Sequence, residues 1–325
     1  MWRKIVLSIL LTLSLVNLLI QPVMGKEYPT KPIELLCPFT PGSTMDLYSR
    51  LIADRAQRYL GQPMVVVNKP GAAGTMAAAD IITSKHDSYK LAVMPTSFFS
   101  IAAKTQKLPF DPSHVVPLAT FVEYITGLQV KGDSPWQTLN DLLDYGKKNP
   151  EKIKWGHPGR GTTGHLKQLL IFKKAGVSAI DIPYKGNPEQ IAALLGGHID
   201  AIIVPFGAIA DHIKARKARY LVAYSDSRYS CLPDVPCAKE LGFPEITNLG
   251  PLVGVFAHKD TPAEVKKILF DVFKKIYEDP EFKKEVEKIG DEPKFGGPEF
   301  IEESIKEQEK LVVPALKELG LYVGN

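Results

Sequence analysis

Cys37-Pro38-Phe39-Thr40-Pro41-Gly42-Ser43-Thr44-Met45-Asp46 follows the apolar run Ile33 to Cys37 and precedes Leu47, Leu51, Ile52, Tyr59 and Leu60 at helical spacing. The apolar run reads as a buried strand, and Gly61 ends the helix. The ten residues are therefore a strand-to-helix junction rich in Gly and hydroxyl side chains. A second junction of this kind is Gly156-His157-Pro158-Gly159-Arg160-Gly161-Thr162-Thr163-Gly164-His165. Each aims unpaired helix N–H groups, and the positive end of a helix dipole, at one small anion. Two such cradles in one chain point to carboxylate binding.

Working outward, Met64 to Val67 reads as a second strand, an Ala-rich helix starts at about Thr75, and Lys90 to Met94 is a third strand. Strand, helix, strand, helix, strand is the rhythm of a parallel sheet with crossover helices. After Lys131-Gly132-Asp133-Ser134-Pro135 the alternation starts again. It runs through helix Leu139 to Lys148, strand Ile153 to Gly156, a helix from about Gly164 to Ala175 and strand Ala179 to Ile182. Helix Glu189 to Leu195, strand Ala201 to Val204, helix Ala208 to Ala215 and strand Tyr220 to Ala223 complete a second open α/β unit. Pro251 to Ala257 is another apolar run. The tail beyond it reads as almost wholly helical, its Lys and Glu suiting solvated faces.

The 325 residues are 45% hydrophobic and 23% charged, an ordinary globular composition. The formal charge of +4 includes Arg3 and Lys4 and forms no basic block, so nucleic acid is not an expected partner. Arg3 and Lys4, the apolar run Ile5 to Ile20, Pro22 and the compact residues Val23 and Gly25 read as a secretory leader cleaved after Gly25. As an uncleaved anchor that run spans only roughly 24 Å, short of a hydrocarbon core of about 30 Å. The three cysteines hold no C-x-x-C, which argues against a zinc ribbon or thioredoxin-like site. Cys37 reads as a small buried hydrophobe; a local Cys231–Cys237 disulfide and two free thiols both remain open.

Gly159, Gly161 and Gly164 satisfy G-x-G-x-x-G, and Asp181 lies where a ribose-binding carboxylate would. The preceding strand, however, is short and interrupted by Gly156 and Pro158, and an exported chain does not usually meet free nicotinamide cofactor. His165 and Leu166 stand where a phosphate-binding loop needs Lys and Ser or Thr, which disfavours nucleotide hydrolysis. No G-x-S-x-G elbow, H-E-x-x-H helix or cysteine-nucleophile signature occurs. No cofactor and no metal are expected. Asp46 would repel an anion in the first cradle, so its preferred role is to order the loop by accepting backbone N–H bonds.

The chain resembles the periplasmic substrate-binding proteins of tripartite tricarboxylate transporters, the Bug family. The resemblance rests on Tyr28-Pro29-Thr30-Lys31-Pro32-Ile33, on Pro38 to Asp46, on Leu60-Gly61-Gln62-Pro63 and on Val65 to Gly74. It continues through Leu108-Pro109-Phe110-Asp111-Pro112, Gly164-His165-Leu166, Ile182-Pro183-Tyr184-Lys185-Gly186, Leu194 to Gly197, His212-Ile213-Lys214 and Leu232 to Pro236. It implies an α/β, two-lobed periplasmic-binding-protein fold of type II, each lobe an open, mostly parallel sheet flanked by helices. It implies a monomeric, exported, non-catalytic subunit that closes on a small mono- or dicarboxylate and delivers it to membrane permease subunits. Expected boundaries are 26–127 with 251–325 for one lobe and 128–250 for the other.

By the resemblance, Phe39, Gly42, Ser43, Thr44, Gly159, Thr162 and Thr163 contact the ligand carboxylate, and His165 orients the second loop. Thr96, Ser97, Phe98 and Phe206 are cleft candidates by loop position. Arg160, where the family usually has a small or apolar residue, is either a partner for a second carboxylate or a solvent-facing loop charge. Lys185 lies either in the cleft or on its rim. Val204-Pro205 replaces a position often acidic then polar in the family, which argues against an amine-bearing ligand. Two other readings compete: an exported enzyme using the same cleft, and a carboxylate-sensing module for a signalling receptor.

Overall fold

Ile33–Cys37 forms β1, buried except at Glu34, and lies between parallel neighbours β2 (Met64–Asn68) and β3 (Lys90–Pro95). Ile33 stands opposite Met64, and Cys37 opposite Asn68. The helix Thr44–Leu60 crosses from β1 to β2. Ser43 Oγ accepts the Asp46 N–H at 3.3 Å at its start, and Gly61, at φ 67°, closes it. Tyr48, Ile52 and Ala56, four residues apart, are wholly buried and form the face that packs on the sheet. Burial of Ile52 alone contributes roughly 1.5–3 kcal/mol.

The computed structural model describes residues 28–84, 87–246, 250 and 252–324. The expected leader and its cleavage at Gly25, and Pro251 at the head of an apolar run, lie outside them. Residues Lys31–Asn325 form one compact unit. Its remaining strands are β4 (Val115–Glu123), β5 (Gly127–Lys131), β6 (Lys154–His157), β7 (Ile180–Pro183), β8 (Ala201–Ile202), β9 (Ala218–Ala223), β10 (Leu252–His258) and β11 (Glu292–Gly296).

They make two sheets, one to each lobe. The first has order β11-β4-β10-β3-β1-β2, and the second β7-β6-β8-β5-β9. Most strands of each sheet share one sense, as expected, β1 to β4 in the first and β6 to β9 in the second, but each sheet also holds antiparallel strands. In the first, β10 runs antiparallel to β3 and β4, and β11 antiparallel to β4. In the second, β5 runs antiparallel to β8 and β9. The cause is the double crossing. The chain leaves the first sheet by β4 and returns by β10, so these two strands must point in opposite senses, and the same holds for β5 and β9. The tail is likewise not wholly helical, because β11 interrupts it and pairs with the β4 edge.

The second unit is set by strong local signals. Thr138 and Asp141 form a capping box at the head of helix Leu139–Lys148, and Gly176, at φ 67°, closes helix Thr163–Ala175. Trp155, Leu142 and Ile171, all fully buried, join sheet and helices in one core. Cys37, Cys231 and Cys237 are free thiols, so the local disulfide is not formed in this structure. Among the described residues no helix is long and apolar enough to cross a membrane.

Candidate ligand-binding cleft

The first loop is tied back at Asp46. Its carboxylate accepts the Gly42 N–H at 3.0 Å, the Arg50 Nε and Nη2 at 3.0 Å each, and the Asn68 Nδ2 at 2.9 Å. Burial raises the pKa of Asp46, but the bonds from Arg50, Gly42 and Asn68 outweigh it and hold the carboxyl below its usual range. Asp46 thus orders the loop and is occupied by protein donors. Asn68 also donates to the Phe39 carbonyl at 2.9 Å, fixing Phe39 at the end of β1. In the first turn of helix Thr44–Leu60, Ser43 takes the N–H groups of Asp46 and Leu47, while those of Thr44 and Met45 have no acceptor among the described residues.

The second loop is clasped at both ends. His157, which opens it, and His165, which follows it, stand with ring centroids 4.4 Å apart, and His165 stacks on Trp155. Asp181 of β7 sits against both, 3.0 Å from His157 Nε2 and 3.7 Å from His165 Nε2. His157 Nδ1 accepts the Gly159 N–H at 3.2 Å, so Nε2 carries the ring hydrogen and donates it to Asp181. Arg160 completes the clasp with Nε and Nη2 at 2.8 and 3.1 Å from the two Asp181 oxygens. Bonds from His157 and His165, reinforced by Arg160 against the cost of burial, hold the Asp181 carboxyl far below the usual range. Burial in turn depresses the His165 pKa, leaving that ring neutral near pH 7.

His157, His165 and Asp181 have a metal site's composition, with donor atoms within 4.8 Å of one another. Both His157 nitrogens and both Asp181 oxygens are nevertheless spent on Gly159, Arg160 and each other, so a metal ion would have to break the clasp. Asp181 is equally unavailable to a ribose.

The Thr162 hydroxyl donates to the Gly159 carbonyl at 2.8 Å instead of capping the helix behind it. The N–H groups of Thr163, Gly164 and His165 are consequently left without acceptors among the described residues.

The two loops meet at one cavity of about 60 Å³. Phe39, Ser43 and Met45 line it from the first loop, and Pro158, Thr162, Thr163 and Gly164 from the second. Pro95 and Ser97 after β3, Tyr124 and Thr126 at the first crossing, Asn187 and Ile203-Val204-Pro205 complete the wall. No charged side chain is among them. Four helices start at this wall, at Ser43, Thr162, Asn187 and Pro205. Each N-terminus is worth about half a positive charge, so the cavity is electropositive without a cation.

Of the residues expected from sequence, Phe39, Ser43, Ser97, Thr162 and Thr163 line this cavity. Gly42 and Thr44 line a groove beside it, where Thr44 Oγ1 accepts from Asn187 Nδ2 at 2.9 Å and so links the lobes. Gly159, Arg160 and Lys185 line a second groove, which shares only Phe39 and Pro158 with the cavity. Asp46 and His165 stand behind the loops. Thr96 is fully buried, its N–H bonded to the Leu252 carbonyl, and Phe206 packs beside Tyr220. Sequence reasoning missed Tyr124 and Thr126 as cavity-lining, though they adjoin the expected lobe boundary. It also missed Asn187 and Ile203, at strand-to-helix junctions like the two it used.

The lobes touch around the cavity. Besides Thr44 and Asn187, the Thr40 N–H donates to the Lys185 carbonyl at 3.3 Å, and the Thr40 hydroxyl to Glu189 at 3.3 Å. The model of the tripartite tricarboxylate transporter family receptor matches residues 48–321. The chain belongs to this family. The receptor is 34% identical over 303 residues to the UPF0065 protein in the gbd 5' region of Cupriavidus necator, covering 91% of this chain and 89% of that one. Among solved structures, the periplasmic binding protein BugD aligns with a TM-score of 0.84 at 27% identity, over 91% of this chain and 99% of that one. An R. palustris protein solved with adipate aligns with a TM-score of 0.85 at 25% identity, over the same shares. The receptor is a solute-binding protein of a transporter family, not an enzyme.

Proposed function

We propose that this receptor captures a small carboxylate in the cavity and delivers it, in the periplasm, to the membrane subunits of a tripartite tricarboxylate transporter. The observation that carries this reading is the set of N–H groups without an acceptor among the described residues, at Met45 on one lobe and at Thr163 and Gly164 on the other, at the wall of one cavity lined by no charged side chain. Backbone N–H groups at helix starts hold a carboxylate without a counter-charge. The adipate bound to the R. palustris neighbour supports the same ligand class. Ser43, Thr162 and Thr163 hold the carboxylate; Phe39 and Ser97 meet the rest of the ligand. The moving bodies are 26–127 with 251–325, and 128–250, each receptor acting as a monomer. Asp181 occupies both donors of Arg160 that face it, so a second carboxylate in the outer groove must compete with that pair.

Thermal unfolding of the purified receptor against mono-, di- and tricarboxylates, amino acids, amines and sugars tests the reading. A carboxylate at a hundred times its Kd should add about 2.7 kcal/mol, a shift of a few degrees for a chain of this size. The compound should be recovered unaltered. Stabilisation by amines or sugars alone would overturn the assignment. For delivery, deleting the receptor should abolish uptake of the stabilising carboxylate by cells that retain the membrane subunits.

A further inference from the structure

Beside the cavity, at the seam of the two lobes, lies a groove of about 340 Å³ walled by Phe39, Pro158, Arg160, Lys185 and the turn at residues 71–73. No carboxylate side chain lines it, and its two charged residues are both cations. Asp181 takes the Nε and Nη2 edge of Arg160, at 2.8 and 3.1 Å, and so holds the guanidinium in place. The Nη1 donors have no acceptor among the described residues, and the side chain is 68% exposed. A guanidinium carries five N–H donors in a planar fork, so an anion at the free edge competes with Asp181 for charge and not for donors. Lys185 is exposed, and its ammonium has no partner among the described residues.

The first lobe contributes backbone to the same groove. Gly71, Ala72, Ala73 and Gly74 all have positive φ, 142°, 47°, 52° and 100°. Alanine rarely adopts this conformation, yet two stand here in succession. The N–H groups of Gly71, Ala72 and Ala73 have no acceptor among the described residues. Successive N–H groups in such a turn form a concavity that takes small anions. A Cβ on Gly159 would lie 3.4 Å from the Ala73 nitrogen, so the turn sits directly against the second loop. We propose that this groove is a second anion site, taking a small oxyanion between Arg160 and Lys185 of one lobe and the turn at residues 71–73 of the other. Two sources share that chemistry: a free oxyanion, or the distal carboxylate of a ligand whose first carboxylate occupies the cavity, since Phe39 and Pro158 wall both spaces. The second source rests on the carboxylate reading above, and the first does not. Because the site spans the lobes, an anion in it favours their closed arrangement.

The test is calorimetric titration of wild type, Lys185→Gln and Lys185→Arg at fixed ionic strength, with sodium sulfate in one arm and alkanoates and dicarboxylates of increasing chain length in the other. Lys185 has no ion pair to lose, so the unfolding midpoints of the free variants should match wild type. A free-oxyanion site predicts that sulfate binds wild type and Lys185→Arg alike, and Lys185→Gln about fivefold or more weakly. A distal-carboxylate site predicts that, past a minimum length, dicarboxylates bind wild type about tenfold or more tightly than alkanoates of equal length, and that Lys185→Gln removes most of that preference. Sulfate that binds all three proteins equally occupies the cavity, which Lys185 does not line, and counts against the groove. If Lys185→Gln lowers neither sulfate affinity nor the dicarboxylate preference, the groove is not an anion site. Failure of wild type to bind any carboxylate would overturn the carboxylate reading, and the sulfate arm alone would then decide the groove.

Discussion

Gly161→Ala should weaken carboxylate binding by ~10–100-fold while the protein stays folded. Gly161 lies in the second loop at φ 88°, and a Cβ there would stand 2.9 Å from Ala102 Cα and 3.0 Å from Thr105 Oγ1. Ala102 belongs to the other lobe, in the helical segment after β3, and is fully buried in the core with Phe98. The collision is therefore with backbone that cannot yield, and it arises only when the lobes come together. A penalty confined to the closed state lowers affinity by the same free energy, a factor of ten for each ~1.4 kcal/mol. Left-handed backbone adds about 1–2 kcal/mol to open and closed states alike.

Gly176→Ala separates the two effects. Gly176, at the far end of the same helix, has φ 67°, and a Cβ there would meet nothing within 4 Å. It should lose comparable stability and bind normally. Titration calorimetry on both variants decides the matter, and unchanged affinity in Gly161→Ala would show that the two loops do not close as this structure has them.

The second large effect is in stability against pH. Asp291 is buried beside the first crossing, and burial pushes its pKa up to about 7, against the bonds it accepts from Ile125 and Tyr48. Glu292 pushes it the same way. Lys167 is buried on helix Thr163–Ala175, and burial lowers its pKa to about 7, with Glu123 opposing. Its ammonium donates to the Tyr224 carbonyl at 3.0 Å.

The signs follow from proton counts. Between its ordinary value of 3.8 and about 7, Asp291 is protonated in the folded chain and ionised in the unfolded one, so stability falls as pH rises through that window. Between about 7 and its ordinary value of 10.5, Lys167 is neutral in the folded chain and charged in the unfolded one, so stability rises with pH. Each limb of about three pH units corresponds to about 4 kcal/mol. The two limbs meet in a stability minimum near pH 7.

Urea unfolding from pH 5 to 9 should show this minimum. Asp291→Asn keeps an acceptor for the Ile125 N–H and should flatten the acid limb. Lys167→Met should flatten the alkaline one. An Asp291→Asn profile parallel to wild type below pH 7 would place the proton elsewhere.

Local signals in the sequence settled the elements whose beginnings and ends lie within a few residues of each other. Strand β1, the helix after it and the Gly61 that closes it form one such stretch, and Thr138 with Asp141 sets the start of helix Leu139–Lys148. The two Gly-rich junctions belong to the same class, because an N-cap and a positive-φ glycine act through backbone only a turn away. Four of the expected contact residues, Phe39, Ser43, Thr162 and Thr163, line the cavity for that reason. Tertiary structure alone decided the rest. Strands β4 and β5 and the edge strand β11 take their direction from partners remote in the chain, so neither their pairing nor the mixed sheets could be read from alternation. Arg160 looked free to meet a ligand until β7 brought Asp181 to it, and Asp46 looked repulsive until Arg50 and Asn68 turned it inward. The anchor of the first crossing joins Tyr48 to Asp291, 243 residues apart, and no local pattern encodes it. Periodicity and capping report short-range backbone energetics. Which buried charges are paired depends on how two lobes, each folded around its own core, are brought face to face.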